Sequence, residues 1–317
     1  MRKKVKTEVK KKGLSRRVLK DNLQLGVLTL PAVILMLVFS YLPMFGIVIA
    51  FKDYKVTGGI LGSEWATPIF KNFEFFFESA YAWRVIRNTL GLNLLFIVVG
   101  IVASVAFALI MFEVKKPRHI KAYQTFAILP HFLSWVAVSY IVYALLDADK
   151  GMINRLLIAF GGEKINWYSN PAYWPVILLL VKLWHGVGLS SIVYYASLMS
   201  VDNELFEAAE MDGAGKWRKI IHISIPHLVP IVTLMTILDI GGIFRSDFGL
   251  FYNVTRNIGN LYDTTDVIDT YVYRALMENG NIGMSSAVSF VQSVVCFATI
   301  MITNTIVKKI EPEYTLF

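Results

Sequence analysis

Glu207-Ala208-Ala209-Glu210-Met211-Asp212-Gly213-Ala214, with nine residues between Gly213 and a following Ile223-Ser224-Ile225-Pro226, is a charged turn set between two long apolar segments. Ser200 and Asp202 stand where a helix N-cap is needed. Beyond them Leu205, Ala208 and Ala209 recur at i, i+3, i+4 and share one face of a short helix. The alanines allow close approach of another surface, and Glu207 can reach groups at its rim. Gly213 suits a sharp turn that requires positive φ. Trp217, Ile220 and Ile221 give the apolar side of a second helix, with Pro226 and Pro230 marking its end or the start of the next apolar run.

Outward from this turn, the 317-residue chain is apolar at 56% of positions and charged at 17%, with a mean hydropathy of +0.55. A soluble domain carries about 25% charged residues, so the chain belongs to the membrane class. Six runs are long enough for a hydrocarbon core that takes about 20 helical residues. They lie near Leu25–Phe51, Asn88–Phe112, Phe126–Leu146, Trp174–Met199, His227–Phe244 and Met284–Val307. Pro43 and Gly46 predict a kink or early end in the first, with a short helix after it. Asp239 and Gly241-Gly242 interrupt the fifth. The fold class is therefore an all-α integral membrane protein, with a basic tail over 1–24 and one membrane domain over 25–317 that includes the 200–226 loop.

Lys and Arg counts orient the spans. With the N-terminus inside, the cytoplasmic parts hold 19 in 74 residues and the outer parts 11 in 103. Both termini and the Glu207 loop then lie in the cytoplasm. The basic tail, with Lys10-Lys11-Lys12 and Arg16-Arg17, sits next to a span and reads as a topology anchor that touches anionic lipid, not as a nucleic-acid arm. The apolar run after it exceeds the 7–15 residues of a signal-peptide core and reads as a span. The aromatic-rich segment Lys52–Arg87 is expected to lie partly along the outer surface as a short helix. Cys296 is alone, so no disulfide forms within the chain.

Ionisable residues within spans face cavities or partners. Lys182 lies eight residues into the fourth run and Asp239 twelve into the fifth, each about 12 Å from the outer face at 1.5 Å per residue. Equal depth on antiparallel spans predicts a Lys182–Asp239 ion pair. The substrate-path candidates are His131, Ser134, Trp135, Lys182, Trp184, His185, Tyr194 and Asp239, because sugars are held by aromatic faces and hydrogen-bonding groups. Membrane aromatics also serve as packing and interface anchors. Gly100, Ser104 and Ala108 form a small-residue ridge for helix packing. His131 and His185 are too isolated to suggest a metal site.

No GxxxxGK[ST] phosphate loop is present, so energy must come from a partner or an ion gradient. No HExxH or GxSxG arrangement points to an enzyme. The pattern E-A-A, three residues, G, nine residues, I-x-(L/I)-P resembles the loop by which permeases of binding-protein-dependent ABC importers grip their ATPase. Tyr41-Leu42-Pro43-Met44-Phe45-Gly46, Asn88-Thr89-Leu90, Leu129-Pro130-His131-Phe132-Leu133-Ser134-Trp135, Asp269-Thr270-Tyr271-Val272-Tyr273-Arg274 and the final Leu316-Phe317 resemble the LplB-type polysaccharide and oligosaccharide uptake branch. Ile225 departs from the leucine that the general motif prefers.

That resemblance implies the type I importer permease fold, with six transmembrane helices, N-in/C-in, and a coupling helix between spans four and five. It implies that Leu205, Glu207, Ala208, Ala209, Asp212, Gly213, Ala214 and Trp217 contact the ATPase. It also implies a second homologous permease, two copies of a cytoplasmic ABC ATPase that carry the ATP and Mg, an extracytoplasmic sugar-binding lipoprotein, an oligosaccharide substrate and a bacterial plasma-membrane location. No cofactor or metal is expected on this chain. An importer permease for a non-sugar solute shares the Glu207 loop and stays open as an alternative. A gradient-driven secondary transporter would instead show inverted repeats and paired broken helices, which the sequence does not display.

Overall fold

The computed structural model describes residues 16–312. The start of the basic tail and the final Leu316-Phe317 lie outside them. Among the described residues the protein is helical, with one isolated antiparallel bridge between Lys52 and Trp65. Five helices among the described residues are long and apolar enough to cross a membrane: Asn22–Phe51, Ala82–Phe112, Pro171–Leu198, Lys216–Gly241 and Ile282–Ile310. A sixth span is built from two pieces, Pro117–Phe132 and Trp135–Leu146, which meet at 99°. In chain order these are spans one to six, the two-piece span being the third.

Three of them differ from expectation. The first span runs unbroken to Phe51. A widened π turn at Leu37–Tyr41 takes up the hydrogen bond that Pro43 cannot make, and the short helix expected there is the tighter 3₁₀ segment Leu42–Phe51, continuous with the span. Its side chains are exposed on every side as far as Met44, and its second half packs on the sixth span. Phe51, Phe73 and Phe290 form an aromatic knot there, with Phe51 and Phe73 centroids 5.2 Å apart. The short helix Lys71–Phe77 therefore packs against the bundle through part of its aromatic content.

The third span is not continuous. Pro130 removes a backbone donor, Leu133 is extended, and the Ser134 hydroxyl caps the second piece by accepting from the Ala137 N–H at 3.2 Å. The fifth span is longer than expected towards the Glu207 loop. Lys216 to Gly241 is one helix with a π turn at Ile220–Ser224, which widens the backbone just before Pro226, a residue with no N–H to donate. The second helix of the turn is thus a prolongation of the fifth span.

Three buried clusters organise the described residues, one of which, with Phe76, Val85, Ile268 and Met284, joins the second and sixth spans. Leu92, Val142, Trp174, Leu178 and Phe251 tie the second, third and fourth spans to the segment after the fifth. Ala108, Tyr194, Leu198 and Leu228 join the second, fourth and fifth spans near the Glu207 loop. Ser104 and Ala108 of the small-residue ridge are buried. Among the described glycines the tightest is Gly188, where an added Cβ would stand 1.9 Å from the Ala127 carbonyl oxygen.

At the end of the bundle away from the loop, a polar network fastens the second span. Asn88 Nδ2 donates to the carbonyls of Asp263 and Asp266, both at 3.1 Å, and the Thr89 hydroxyl accepts from the Ile268 N–H at 2.9 Å. The Asp266 carboxylate is 1% exposed and is held by Arg84, at 3.1 Å, and by Arg274. A buried carboxylate requires such partners.

Candidate functional site

Two places carry functional geometry. The first is the Glu207 loop. Asp202 accepts from the Glu204 N–H at 3.0 Å and so caps the helix Asn203–Met211. Gly213 takes φ +75 and closes it. The Ala214 N–H donates to the Ala209 carbonyl at 2.8 Å and the Gly213 N–H to the Glu210 carbonyl at 3.0 Å, the paired bonds of a Schellman turn. Leu205, Glu207, Ala208, Asp212 and Trp217 are exposed, while Ala209 and Ala214 are half-buried. Met211 and Trp217 are 88% and 78% exposed, so the hairpin presents large apolar side chains to its surroundings.

The hairpin is internally braced. Lys219 forms an ion pair with Glu210 and holds that carboxyl below the ordinary carboxylate range. His227 Nε2 reaches the Ser197 carbonyl and the Ser200 hydroxyl, both at 3.2 Å, which ties the ends of the fourth and fifth spans together.

The second place is a cavity of about 570 Å³ walled by the second, fourth and fifth spans and by the break in the third. His131, Trp135, Lys182, His185, Tyr194 and Asp239 line it. Ser134 and Trp184 do not: Ser134 caps the broken span, and Trp184 is exposed on another face. Irregular backbone at membrane depth persists only where it is buried in protein or lines a cavity, and this break does so.

Most of the lining side chains are engaged within the chain. His185 Nε2 lies 3.2 Å from the Leu133 carbonyl that the break leaves without a helical partner. A carbonyl only accepts, so Nε2 carries the proton. The Trp135 indole stacks on His185 at 4.1 Å and 23°. It also lies against Gly249, where an added Cβ would come within 2.0 Å of its Cδ1. His131 and His185, distant in sequence, sit with ring centroids 5.2 Å apart. Among the described residues no group of three metal-ligating side chains forms.

Lys182 does not pair with Asp239. Its ammonium lies 2.9 Å from Asp247. The depth estimate counts from His227 across a straight span, whereas the helix starts at Lys216, stops at Gly241 and the chain folds back through a turn. That turn returns Asp247 to the level of Lys182, while Asp239 stays in the cavity wall within electrostatic reach of the same lysine.

The turn is pinned from three sides. Asn93 Nδ2 donates to the carbonyls of Ile243 at 2.7 Å and Arg245 at 3.1 Å. Gln292 donates to the Phe244 carbonyl at 2.6 Å, and Asp269 accepts from the Ser246 N–H at 2.7 Å. Burial pushes the Asp269 carboxyl up, against the pull of these bonds. Sequence reading missed Asn93, Arg245 and Asp247. The signal for Asn93 was present, as a side-chain amide inside an apolar span, but its partners are some 150 positions away.

Residues 22–312 match the family described as the binding-protein-dependent transport system inner membrane component. The chain belongs to this family. Among its relatives are the polygalacturonan/rhamnogalacturonan transport system permease YteP of Bacillus subtilis, 36% identical over 97% of this chain and 94% of that one. Protein LplB of the same organism is 35% identical over 95% and 94%. A permease chain in the crystal structure of a bacterial ABC transporter involved in import of the acidic polysaccharide alginate superposes with a TM-score of 0.83 at 30% identity, covering 93% of this chain and 98% of that one. A chain in the crystal structure of a bacterial alginate ABC transporter in complex with an alginate pentasaccharide-bound periplasmic protein matches equally, with a TM-score of 0.83 at 30% identity over 93% of this chain and 97% of that one. The protein is thus an ABC importer permease of the bacterial plasma membrane, a transport subunit and not an enzyme.

Proposed function

We propose that this permease imports oligosaccharides or polysaccharide fragments, and that the Glu207 hairpin couples it to ATP hydrolysed on a separate subunit. The observation that carries the coupling is the capped, Schellman-closed helix with Leu205, Met211 and Trp217 turned outward. A hairpin held this rigidly while exposing large apolar side chains is suited to a groove on another protein. The saccharide class is supported by the relatives that transport pectic polysaccharides and by the neighbour that imports alginate.

Both termini and the hairpin lie in the cytoplasm on this reading, as the excess of Lys and Arg at that end supports. The working unit is this chain with a second permease, two ATPase copies that bind the ATP and Mg, and an extracytoplasmic binding lipoprotein. Closure of the ATPases draws the hairpins together and swings the spans, so that the cavity alternates between the two faces. By reciprocity, substrate delivery outside biases the ATPase inside. The lining offers the solute hydrogen-bonding partners in His131 and Ser190 and an acceptor in the Asp239 carboxylate.

The test is co-purification of the tagged chain from its native membrane, with mass spectrometry and an ATPase assay. A second permease, an ATPase and a lipoprotein should be recovered, and Glu207→Lys and Gly213→Pro should abolish stimulated ATP turnover. A chain recovered alone, or an ATPase indifferent to both changes, would sink the reading. A lipoprotein that binds a non-sugar solute would overturn the saccharide class alone.

A further inference from the structure

The hairpin is joined by the backbone to the fourth and fifth spans only, yet it also touches the second. The Phe206 ring packs on Phe112 at 5.6 Å, and Lys216 reaches Glu113 at 3.6 Å. Phe112 and Glu113 are the last residue and the cap of the second span. Lys216 is the first residue of the prolonged fifth span.

Phe206 is half-buried and points inward, opposite in role to the exposed Leu205 and Met211 beside it. Beneath the contact lies the Ala108–Tyr194–Leu198–Leu228 cluster, on which Phe112 packs. Further along the second span, Asn93 holds the carbonyls of Ile243 and Arg245 just past the other end of the fifth span. The two helices are therefore clasped at both ends. Phe96, Ile97, Gly100 and Ser104, on the wall between the clasps, face the cavity.

We propose that Phe206 is a positioning residue that locks the hairpin to the second span, so that the second and fifth spans move as one lever between hairpin and cavity. Resting on the coupling role proposed above, this adds the route by which hairpin motion reaches the cavity wall. The alternative is a hairpin that drives only the two spans it is covalently joined to.

The two contacts differ in weight. The Lys216 side chain is 76% exposed, and exposed ion pairs contribute little. The ring contact excludes water and continues into the buried cluster, so Phe206 dominates.

The test uses the whole importer in proteoliposomes, with Cys296→Ser and a reporter Ile97→Cys in the cavity wall. Two quantities are read: ATP hydrolysis, and the rate at which the reporter reacts with a membrane-impermeant maleimide with and without ATP and vanadate. No transported solute is needed. ATP should change the labelling rate about fivefold or more with Phe206 intact. Phe206→Ala should remove that change while hydrolysis stays within about twofold, and Phe206→Leu should keep it.

Glu113→Lys should reduce the ATP response by about twofold, and Glu113→Lys with Lys216→Glu should restore it. An ATP response that survives Phe206→Ala would overturn the lever. So would hydrolysis and response falling together in Phe206→Ala at normal complex yield, since that is the behaviour of failed docking. Glu207→Lys separates the two readings: if it leaves hydrolysis untouched, the coupling role itself is at fault.

Discussion

The hairpin and the cavity are both polar interruptions in an apolar bundle, yet they use their side chains in opposite ways. In the hairpin the backbone closes on itself through the Asp202 cap and the Gly213 turn, and its large apolar side chains remain outside. In the cavity the conspicuous side chains face inward and are taken up by the chain. His185 holds a carbonyl, Trp135 stacks on His185, Asn93 pins a turn, and Lys182 pairs with Asp247. The hairpin is built to meet another surface and the cavity to keep its own shape. Substitutions should therefore damage folding in the cavity and coupling in the hairpin.

Two glycines, Gly188 where the fourth span packs on the third behind the cavity lining and Gly213 in the hairpin, offer the sharpest way to break that distinction. Gly188→Val forces a side chain into the Ala127 carbonyl, a backbone atom that cannot rotate away. Overpacking typically costs about 1–3 kcal/mol and can exceed that, so about 3 kcal/mol or more is expected, read as lost yield and a lower melting temperature in detergent. Gly213→Ala meets no atom within 4 Å but must hold φ +75. It should cost about 1–2 kcal/mol of local strain, leave the yield near normal and lower stimulated ATP turnover. Equal losses of yield would erase the distinction.

His185 comes next. His185→Ala strands the Leu133 carbonyl inside the protein, at about 1–3 kcal/mol. His185→Gln carries a donor at similar reach and should recover part of it in a thermal melt. If both variants melt alike, the hydrogen bond is not what holds the broken span.

The ion pair follows. Both side chains are about one-third exposed, so solvent screens part of the interaction. Asp247→Asn should lower solute uptake by roughly tenfold, equivalent to about 1.4 kcal/mol, and Asp239→Asn by less. Lys182→Asp combined with Asp247→Lys should regain uptake that either single change loses. A swap with Asp239 that rescues better than one with Asp247 would show that Lys182 changes partners.

The same division explains what the sequence disclosed. The hairpin was legible because capping, helical period and positive φ are properties of neighbouring residues. The spans were legible from length and apolarity, and the packing of Ser104 and Ala108 from their spacing. The 99° break was missed although Leu129-Pro130 and Ser134 mark it, because a run of apolar residues hides a change of direction. The partner of Lys182 was misassigned for a related reason. Depth along a straight helix is a poor guide once the fifth span ends at Gly241 and the chain turns back. Asn88, Thr89, Asp269, Thr270 and Arg274 were quoted only as family-like segments. Folding shows their shared purpose: Asn88 and Thr89 bind the backbone of residues 263–268, Thr270 and Arg274 close on Asp266, and Asp269 holds the turn at Ser246.

The smallest effect is expected at the brace between Glu210 and Lys219, and it limits how far the hairpin depends on charge. The Lys219 ammonium lowers the Glu210 carboxyl below its ordinary value, so the ion pair is complete above the unfolded carboxylate range of about 4.3. Its contribution is lost only as pH falls through the still lower folded value. Coupled ATP turnover should then show no titration of this pair between pH 6 and 8. Glu210→Gln imposes at neutral pH the neutral side chain that strong acid would produce. Because the Glu210 side chain is 64% exposed and the Schellman bonds remain, turnover should change by less than about twofold. A larger loss, matching Gly213→Ala, would mean that the Glu210–Lys219 contact rather than the backbone turn fixes the angle between the helix and the prolonged fifth span.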